Sequence, residues 1–199
     1  MPSEPLVLAF DTSAAHCAAA LLSGDRIVAS RAEDMGRGQA ERLLPLLEEV
    51  LSEADKGWAD LDAIAVGTGP GNFTGIRISV SAARGLALAL DIPALGVTTF
   101  AATSLNHDEP HIPVVPGPRD QVYIAPTGEP ARMAARDESA LLEPPLLAAP
   151  PPARLAENMA RIVAATYSDT TLPPAPLYIK AADAAPPRDP APVILSDES

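Results

Sequence analysis

At 199 residues the chain can bury a substantial core, as one domain or as two small ones. Its formal charge of -12 argues against a large nucleic-acid surface, because nonspecific affinity for nucleic acid comes mainly from Lys and Arg neutralising phosphates. The single cysteine, Cys17, excludes an internal disulfide framework and a multi-cysteine zinc site, which makes a reducing compartment the default and Cys17 itself a small buried hydrophobe.

Taken in chain order, Leu6 to Asp11, Cys17 to Leu22 and Arg26 to Arg31 read as three strands, the last two joined through the hairpin signal Ser23-Gly24-Asp25. Gln39 to Ala54 is an amphipathic helix. Leu43, Leu46, Leu47, Val50, Leu51 and Ala54 lie on one side, Glu41, Arg42, Glu48, Glu49 and Glu53 on the other, and Pro45 sits near the first turn or kinks it. Leu61 to Val66 is a short apolar run bounded by turn residues, a buried strand. It leads into Gly69-Pro70-Gly71 and a helix from about Thr74 to Leu90. At 100° per residue Ile76, Ser79, Val80, Ala83, Ala87 and Leu90 share one face of that helix, and Ile78, Ala82, Gly85 and Ala89 lie beside a second. Arg77, Ser81, Arg84 and Leu88 are left for solvent, so the helix needs cover on two sides. A short strand, Ala94 to Val97, completes a βαβ unit. No run reaches the ~20 apolar residues of a membrane span, and Met1 to Leu8 lacks a basic segment ahead of an apolar one, so neither insertion nor a signal peptide is expected.

Composition changes near residue 105. Of the 23 prolines, 18 lie from Pro110 onward, which makes the second half less regular. A strand at Gln121 to Ala125 and helices at Glu138 to Leu147 and Arg154 to Tyr167 fit the pattern. Pro150 to Pro152, Pro173 to Pro176 and Pro186 to Pro192 read as turns or extended segments, and the last dozen residues as mobile.

The Gly69-Pro70-Gly71 loop supports two readings. Backbone N–H groups at a helix N-terminus bind anions, yet the P-loop lysine and the Rossmann glycine spacing are both missing. The alternative is a tight strand-to-helix turn capped by Asn72 or Thr74. Asp11, Ser13 and His16 crowd one strand end without a nucleophile-elbow pattern, which favours turn and cap chemistry over a triad. His107 and His111 have the spacing of a helical metal pair, but Pro110 lies between them and both fall in the presumed linker. Arg77 and Arg84 form a polar stripe, and Trp58 is expected to pack.

Three strands, helix, strand, helix, strand is the order of the ribonuclease H-like subdomain of actin, sugar kinases and acetate kinases. LVLAFDTSAAHCAAALL at 6–22, ERLLPLLEEVL at 41–51, GTGPGNFTGIRISVSAARGLALAL at 67–90 and PLYIK at 176–180 resemble the TsaB (YeaZ) family, over nearly all of residues 5 to 105. Beyond that only fragments such as Arg119 to Tyr123 and PLYIK align, and Pro116-Gly117-Pro118 replaces the family's Asp-Ala-Arg/Lys-like segment.

The resemblance implies an α/β actin-like, ribonuclease H-like (ASKHA) fold with a mixed sheet. Its N-terminal subdomain would span residues 1–105, and a smaller proline-rich subdomain with a mobile tail residues 106–199. It also implies a cytoplasmic, noncatalytic role without cofactor in making threonylcarbamoyladenosine beside the anticodon of tRNA. In that role the chain pairs with TsaD, TsaE joins the assembly, tRNA is met only indirectly, and the chain alone forms a homodimer. The expected partner face is Leu43, Leu47 and Val50 with Ile76, Ser79, Val80, Ala83, Ala87 and Leu90. Which side of the long helix meets the protein's own sheet stays open. Asp11, Thr12, Ser13, Gly69 and Gly71 would be a vestige of a phosphate site. TsaD-type proteins carry a V-N-H-x-x-G-H metal motif where this chain has Val97 to Thr103, so Thr99 and Thr103 stand at the histidine positions and no metal is expected. The rival reading is an enzyme, either an ATP-dependent phosphotransferase of the actin-like superfamily or an M22-type metallopeptidase.

Overall fold

Side chains alternate between two covered faces along β1 (Leu6–Asp11), and that alternation organises the molecule. The computed structural model describes residues 4–139, 142–169 and 173–179. β1 lies at the centre of a five-stranded sheet in the order β3-β2-β1-β4-β5, flanked by β2 (His16–Ser23), β3 (Arg26–Asp34), β4 (Ala63–Gly67) and β5 (Ala94–Val97). β1–β2 and β2–β3 are antiparallel, β1–β4 and β4–β5 parallel, with Leu6 opposite Ser23 and Val7 opposite Ala63. The hairpin and the βαβ unit read from the sequence are both present.

Leu6, Leu8 and Phe10 point to the face covered by α1 (Gln39–Glu53) and α2 (Phe73–Leu90). From α1 come Leu43, Leu46, Leu47, Val50 and Leu51, all buried, with Pro45 inside the helix on its exposed side. From α2 come Gly75, Ile76, Ser79, Val80 and Ala83. Val7 and Ala9 point to the opposite face, where α5 (Pro152–Ala164) lays Leu155, Met159, Ala160 and Val163 across Leu22, Ala63 and Ala65. The edge strand β3 is held to α1 by charge: Arg42 bonds Glu33 and Glu49, and Arg31 bonds Glu53. Hydrogen bonding from Arg42 holds the Glu33 carboxyl below its usual range.

A second sheet, in the order β8-β7-β6-β9, is built from β6 (Ile112–Pro116), β7 (Gln121–Ile124), β8 (Arg132–Ala135) and β9 (Leu146–Ala148), with β9 parallel to β6 and the other pairs antiparallel. Ile112, Val122, Ile124 and Ala134 form its core. The helix α3 (Thr99–Ser104) brings Phe100 against Val115 and Tyr123, joining the two sheets.

The second half departs from the sequence reading in two ways. A helix over Glu138 to Leu147 does not form. The described part of that stretch is the end of α4 (Arg136–Ser139), a turn at Pro144-Pro145, where proline removes helix donors, and β9. A division at residue 105 also separates α5 from the sheet it covers, because α5 belongs by contact to the first lobe. Lys180, the prolines of 186–192 and the chain's last dozen residues lie outside the described residues.

The open question about α2 resolves toward the sheet. Leu43, Leu47, Val50, Ile76, Ser79, Val80 and Ala83, seven of the nine residues expected to face a partner, are buried in the chain's own core, while Ala87 and Leu90 are half-buried. The physical reason is that β1 and β4 present an all-apolar surface of their own, and the small side of α2 is the side that approaches a sheet most closely. At 18 residues and mean hydropathy 1.2, α2 is long and apolar enough to cross a membrane by length and composition alone, a test that core helices also pass. In the fold one side of it packs on the sheet, and Arg77 and Arg84 stand on the other.

Two outcomes follow. Ala83→Glu places an unpaired carboxylate in the core and destabilises the fold by ~3–5 kcal/mol or more, whereas Arg84→Glu on the exposed side leaves the circular-dichroism melt nearly unchanged. The Cys17 thiol is pushed up from 9.0 to about 11, first by burial and then by the charge of Glu33. A thiol-specific disulfide reagent at pH 8 therefore leaves it unmodified until denaturant is added. The folded state holds the thiol proton above the pH at which the unfolded chain releases it. Its contribution to stability is thus complete below pH 9 and is lost as pH rises toward about 11.

Candidate functional site

The turn from β1 to β2 and the loop from β4 to α2 meet at the top of the first sheet, and their contact fixes the local geometry. The Asn72 N–H donates to the Ser13 carbonyl at 2.6 Å, and the Thr12 hydroxyl donates to the Gly75 carbonyl at 2.7 Å. β-carbons at Gly71 and Gly75 would collide with the Ser13 and Thr12 carbonyl oxygens, so only glycine permits this approach. Asn72 caps α2 by accepting from the Gly75 N–H at 2.9 Å, and the Gly69 carbonyl accepts from the Thr99 N–H at 2.8 Å. The structure thus brings together Asp11, Thr12, Ser13, Gly69 and Gly71, the five residues of the expected phosphate vestige. It spends two of their neighbouring donors, the Asn72 and Thr99 N–H groups, on carbonyls of the loops themselves.

Asp11 is fully buried. Its Oδ2 accepts from Ser13 Oγ at 2.9 Å and from His16 Nε2 at 2.7 Å, and its Oδ1 has no partner. Both donors use the same oxygen, so serine and histidine are each tied to the carboxylate and the serine is not handed to a base. A nucleophile needs that second contact, and the arrangement therefore orders a turn instead of activating Ser13.

Between the two sheets lies a cleft of about 540 Å³. Ser13, His16, Asn72 and Thr99 line it from the first lobe, and Val115 to Pro118, Tyr123 and Ala148 to Pro150 from the second. Among the described residues no Lys, Arg, Asp or Glu lines it. Thr99 and Thr103, at the positions of the metal-binding histidines in the TsaD motif, are buried at the start and end of α3. Thr103 Oγ1 donates to the Thr99 carbonyl at 2.7 Å, and Thr99 Oγ1 has no partner. Two neutral hydroxyls, one already bonded to backbone, do not fit a transition-metal centre. Among the described residues no three His, Cys, Asp or Glu side chains cluster. His107 and His111 stack edge to face at 4.5 Å, but both ring nitrogens of His111 are engaged, with the Glu109 carbonyl at 2.7 Å and Ser104 Oγ at 2.8 Å.

A second surface was only partly legible in the sequence. Among the described residues the exposed large hydrophobics are Leu44, Phe73, Leu88 and Tyr178. Phe73 and Leu88 are on α2, and Leu44 is on α1, which packs beside it. Tyr178 belongs to an extended segment tied down by the Leu177 N–H on the Thr68 carbonyl at 2.9 Å. Its ring lies 5.1 Å from Phe73, Arg77 sits 4.0 Å over the Phe73 ring, and Arg77 Nε donates to the Tyr178 hydroxyl at 3.1 Å. Arg77, Arg84 and Leu88 are solvent-facing as the periodicity indicated. Phe73, Leu44 and Tyr178 were missed as exposed groups, and the PLYIK segment was the one signal for Tyr178.

The two lobes, the strand order and the cleft between them define an α/β protein of the actin-like, ribonuclease H-like class. Two Pseudomonas aeruginosa structures share this fold over most of the chain. One, YeaZ, has a TM-score of 0.64 and 27% identity over 87% of this chain and 99% of that one. The other is described as similar to peptidase YeaZ, with a TM-score of 0.69 and 26% identity over 88% and 100%. The sequence profile of TsaD, tRNA N6-adenosine threonylcarbamoyltransferase, matches residues 27–143. The tRNA threonylcarbamoyladenosine biosynthesis protein TsaB of Escherichia coli K12 is 39% identical over 94 residues, 47% of this chain and 40% of that protein. TsaB of Bacillus subtilis 168 is 36% identical over 120 residues, 59% and 52%. An uncharacterized Mycobacterium tuberculosis H37Rv protein is 32% identical over 204 residues, 90% and 94%. This chain belongs to the TsaD-like family and, within it, to the TsaB (YeaZ) group. It spans about half the length of the curated TsaB proteins it matches.

The Asp11 network makes a specific demand on stability. Asp11→Ala leaves two buried donors without an acceptor and lowers the free energy of urea unfolding by ~2–4 kcal/mol, and Asp11→Asn, which keeps one acceptor oxygen, lowers it less.

Proposed function

We propose that this chain is a noncatalytic docking subunit for a TsaD-type catalytic subunit in the formation of tRNA threonylcarbamoyladenosine. The observation that carries the reading is the exposed side of α2 and its surroundings. Phe73, Leu88 and Tyr178 stand in solvent beside Arg77 and Arg84, on a chain whose net charge is -12. Large exposed apolar groups gathered with arginine are the composition of an interface centre. The family relationship and the TsaB names of the relatives point to the same partner. This surface replaces the one expected from the sequence, of which only Ala87 and Leu90 remain at its edge.

The noncatalytic part of the proposal rests on Asp11 being locked to Ser13 and His16 and on threonines at both histidine positions. The same features weigh against a phosphotransferase and against a metallopeptidase. TsaE joins the assembly through the pair, tRNA is held by the partner, and the work is done in the cytoplasm. Without TsaD, a second copy of the chain covers the same apolar groups.

Leu88→Glu is the direct test, because Leu88 is 86% exposed and its replacement leaves the core untouched. Co-purification with TsaD from the same cell is expected to fall at least tenfold, a loss of ~1.4 kcal/mol or more, with an unchanged melting curve. Threonylcarbamoyladenosine formation in the reconstituted system falls with it. A folded Leu88→Glu protein that binds TsaD normally and supports the modification removes this surface from consideration. One zinc or iron per purified wild-type chain contradicts the noncatalytic reading.

A further inference from the structure

We propose that the extended segment 173–179 is a strap across the junction of the two lobes that sets Arg77 for a carboxylate of the docking partner, an inference that rests on the docking reading of α2. The segment is fixed at three points. Pro174 is buried beside Gly96 of β5, the Leu177 N–H donates to the Thr68 carbonyl at 2.9 Å, and the Leu177 and Ile179 side chains pack on the cluster of Phe100, Val115 and Tyr123. Side chains of extended backbone alternate between two sides. With Leu177 and Ile179 turned inward, Tyr178 between them is turned out onto the first turn of α2.

There it holds an arginine in place. The Tyr178 hydroxyl accepts from Arg77 Nε at 3.1 Å, and Arg77 Cζ stands 4.0 Å from the centre of the Phe73 ring, so both the plane and one edge of the guanidinium are set. Among the described residues the two terminal nitrogens of Arg77 hydrogen-bond nothing, on a chain with 26 acidic residues. A guanidinium held in this way has less freedom to lose when it takes a planar carboxylate through two parallel bonds. The helix α2 carries Arg77 and Arg84 and no acid, so the face that complements it is apolar with acidic groups. Arg77 thus owes its pose to contacts at the lobe junction, on the inner side of the strap.

The test is a set of full-chain variants whose dissociation constants for TsaD from the same cell are measured beside their melting curves. Tyr178→Phe keeps the ring and removes the hydroxyl, and is expected to weaken association about three- to tenfold with an unchanged melt. In an Arg77→Ala background the same change is expected to have no effect, because the hydroxyl acts through Arg77. Arg77→Glu is expected to weaken association about tenfold more than Arg77→Ala, since it sets like charges against one another. Leu177→Ala, which alters the inner side of the strap, is expected to weaken association as Tyr178→Phe does. Four results overturn the proposal: wild-type binding by Tyr178→Phe, an undiminished Tyr178→Phe loss without Arg77, equal losses for Arg77→Glu and Arg77→Ala, or wild-type binding by a folded Leu177→Ala. Leu88→Glu, run alongside, separates the two readings. If it weakens association and Tyr178→Phe does not, the docking surface stands and the strap's role falls; if neither does, both fall.

Discussion

The contact between two carbonyl oxygens and two glycine α-carbons sets the geometry on which the rest of the structure depends. Thr12 and Ser13, at the end of the central strand, press their carbonyls against Gly75 and Gly71, and the Thr12 hydroxyl and Asn72 N–H close the approach. This fixes the first turn of α2 on the first sheet and therefore its rotation about its own axis. Once Gly75 faces the sheet, Ser79 and Ala83 follow at helical spacing, Ser79 reaching the Gly67 carbonyl at 3.2 Å, and Arg77, Arg84 and Leu88 are turned outward. The same contact narrows the loop that would otherwise cradle an anion. A single steric requirement thus presents one surface and closes another.

The first lobe was legible in the sequence because its elements carry unambiguous periods. The apolar runs of β1 and β4, the hairpin at Gly24 and the two-sided charge pattern of α1 each admit one structure. The rotation of α2 was not legible, since apolar residues surround most of the helix and periodicity cannot choose between two apolar sides. Exposure of Leu88 and Arg84 could be read, but the burial of Ala83 depends on Gly75 touching the Thr12 carbonyl, a contact 63 residues apart. The second sheet was largely missed. β6 contains Pro113 and Pro116, β8 and β9 are four and three residues long, and prolines near strands obscure the alternation that marks them. The family resemblance supplied the fold that propensity could not.

The polar groups of the candidate site show how a constellation of catalytic residue types can serve architecture. Aspartate, serine and histidine lie within hydrogen-bonding reach, but the carboxylate sits at the centre and the other two are its donors. Chemistry would require histidine at the centre.

The first sheet takes its second cover from α5, which begins 55 residues after β5 ends. On a ribosome, β1 to β5 are made first, with Val7, Ala9, Ala63 and Ala65 bare on one side until Leu155, Met159 and Val163 have been translated. At roughly 5–20 residues per second that interval lasts several seconds. The nascent chain thus spends that time as an open, half-clad sheet, a substrate for the chaperones that shield apolar strands, and it closes only when its far end arrives.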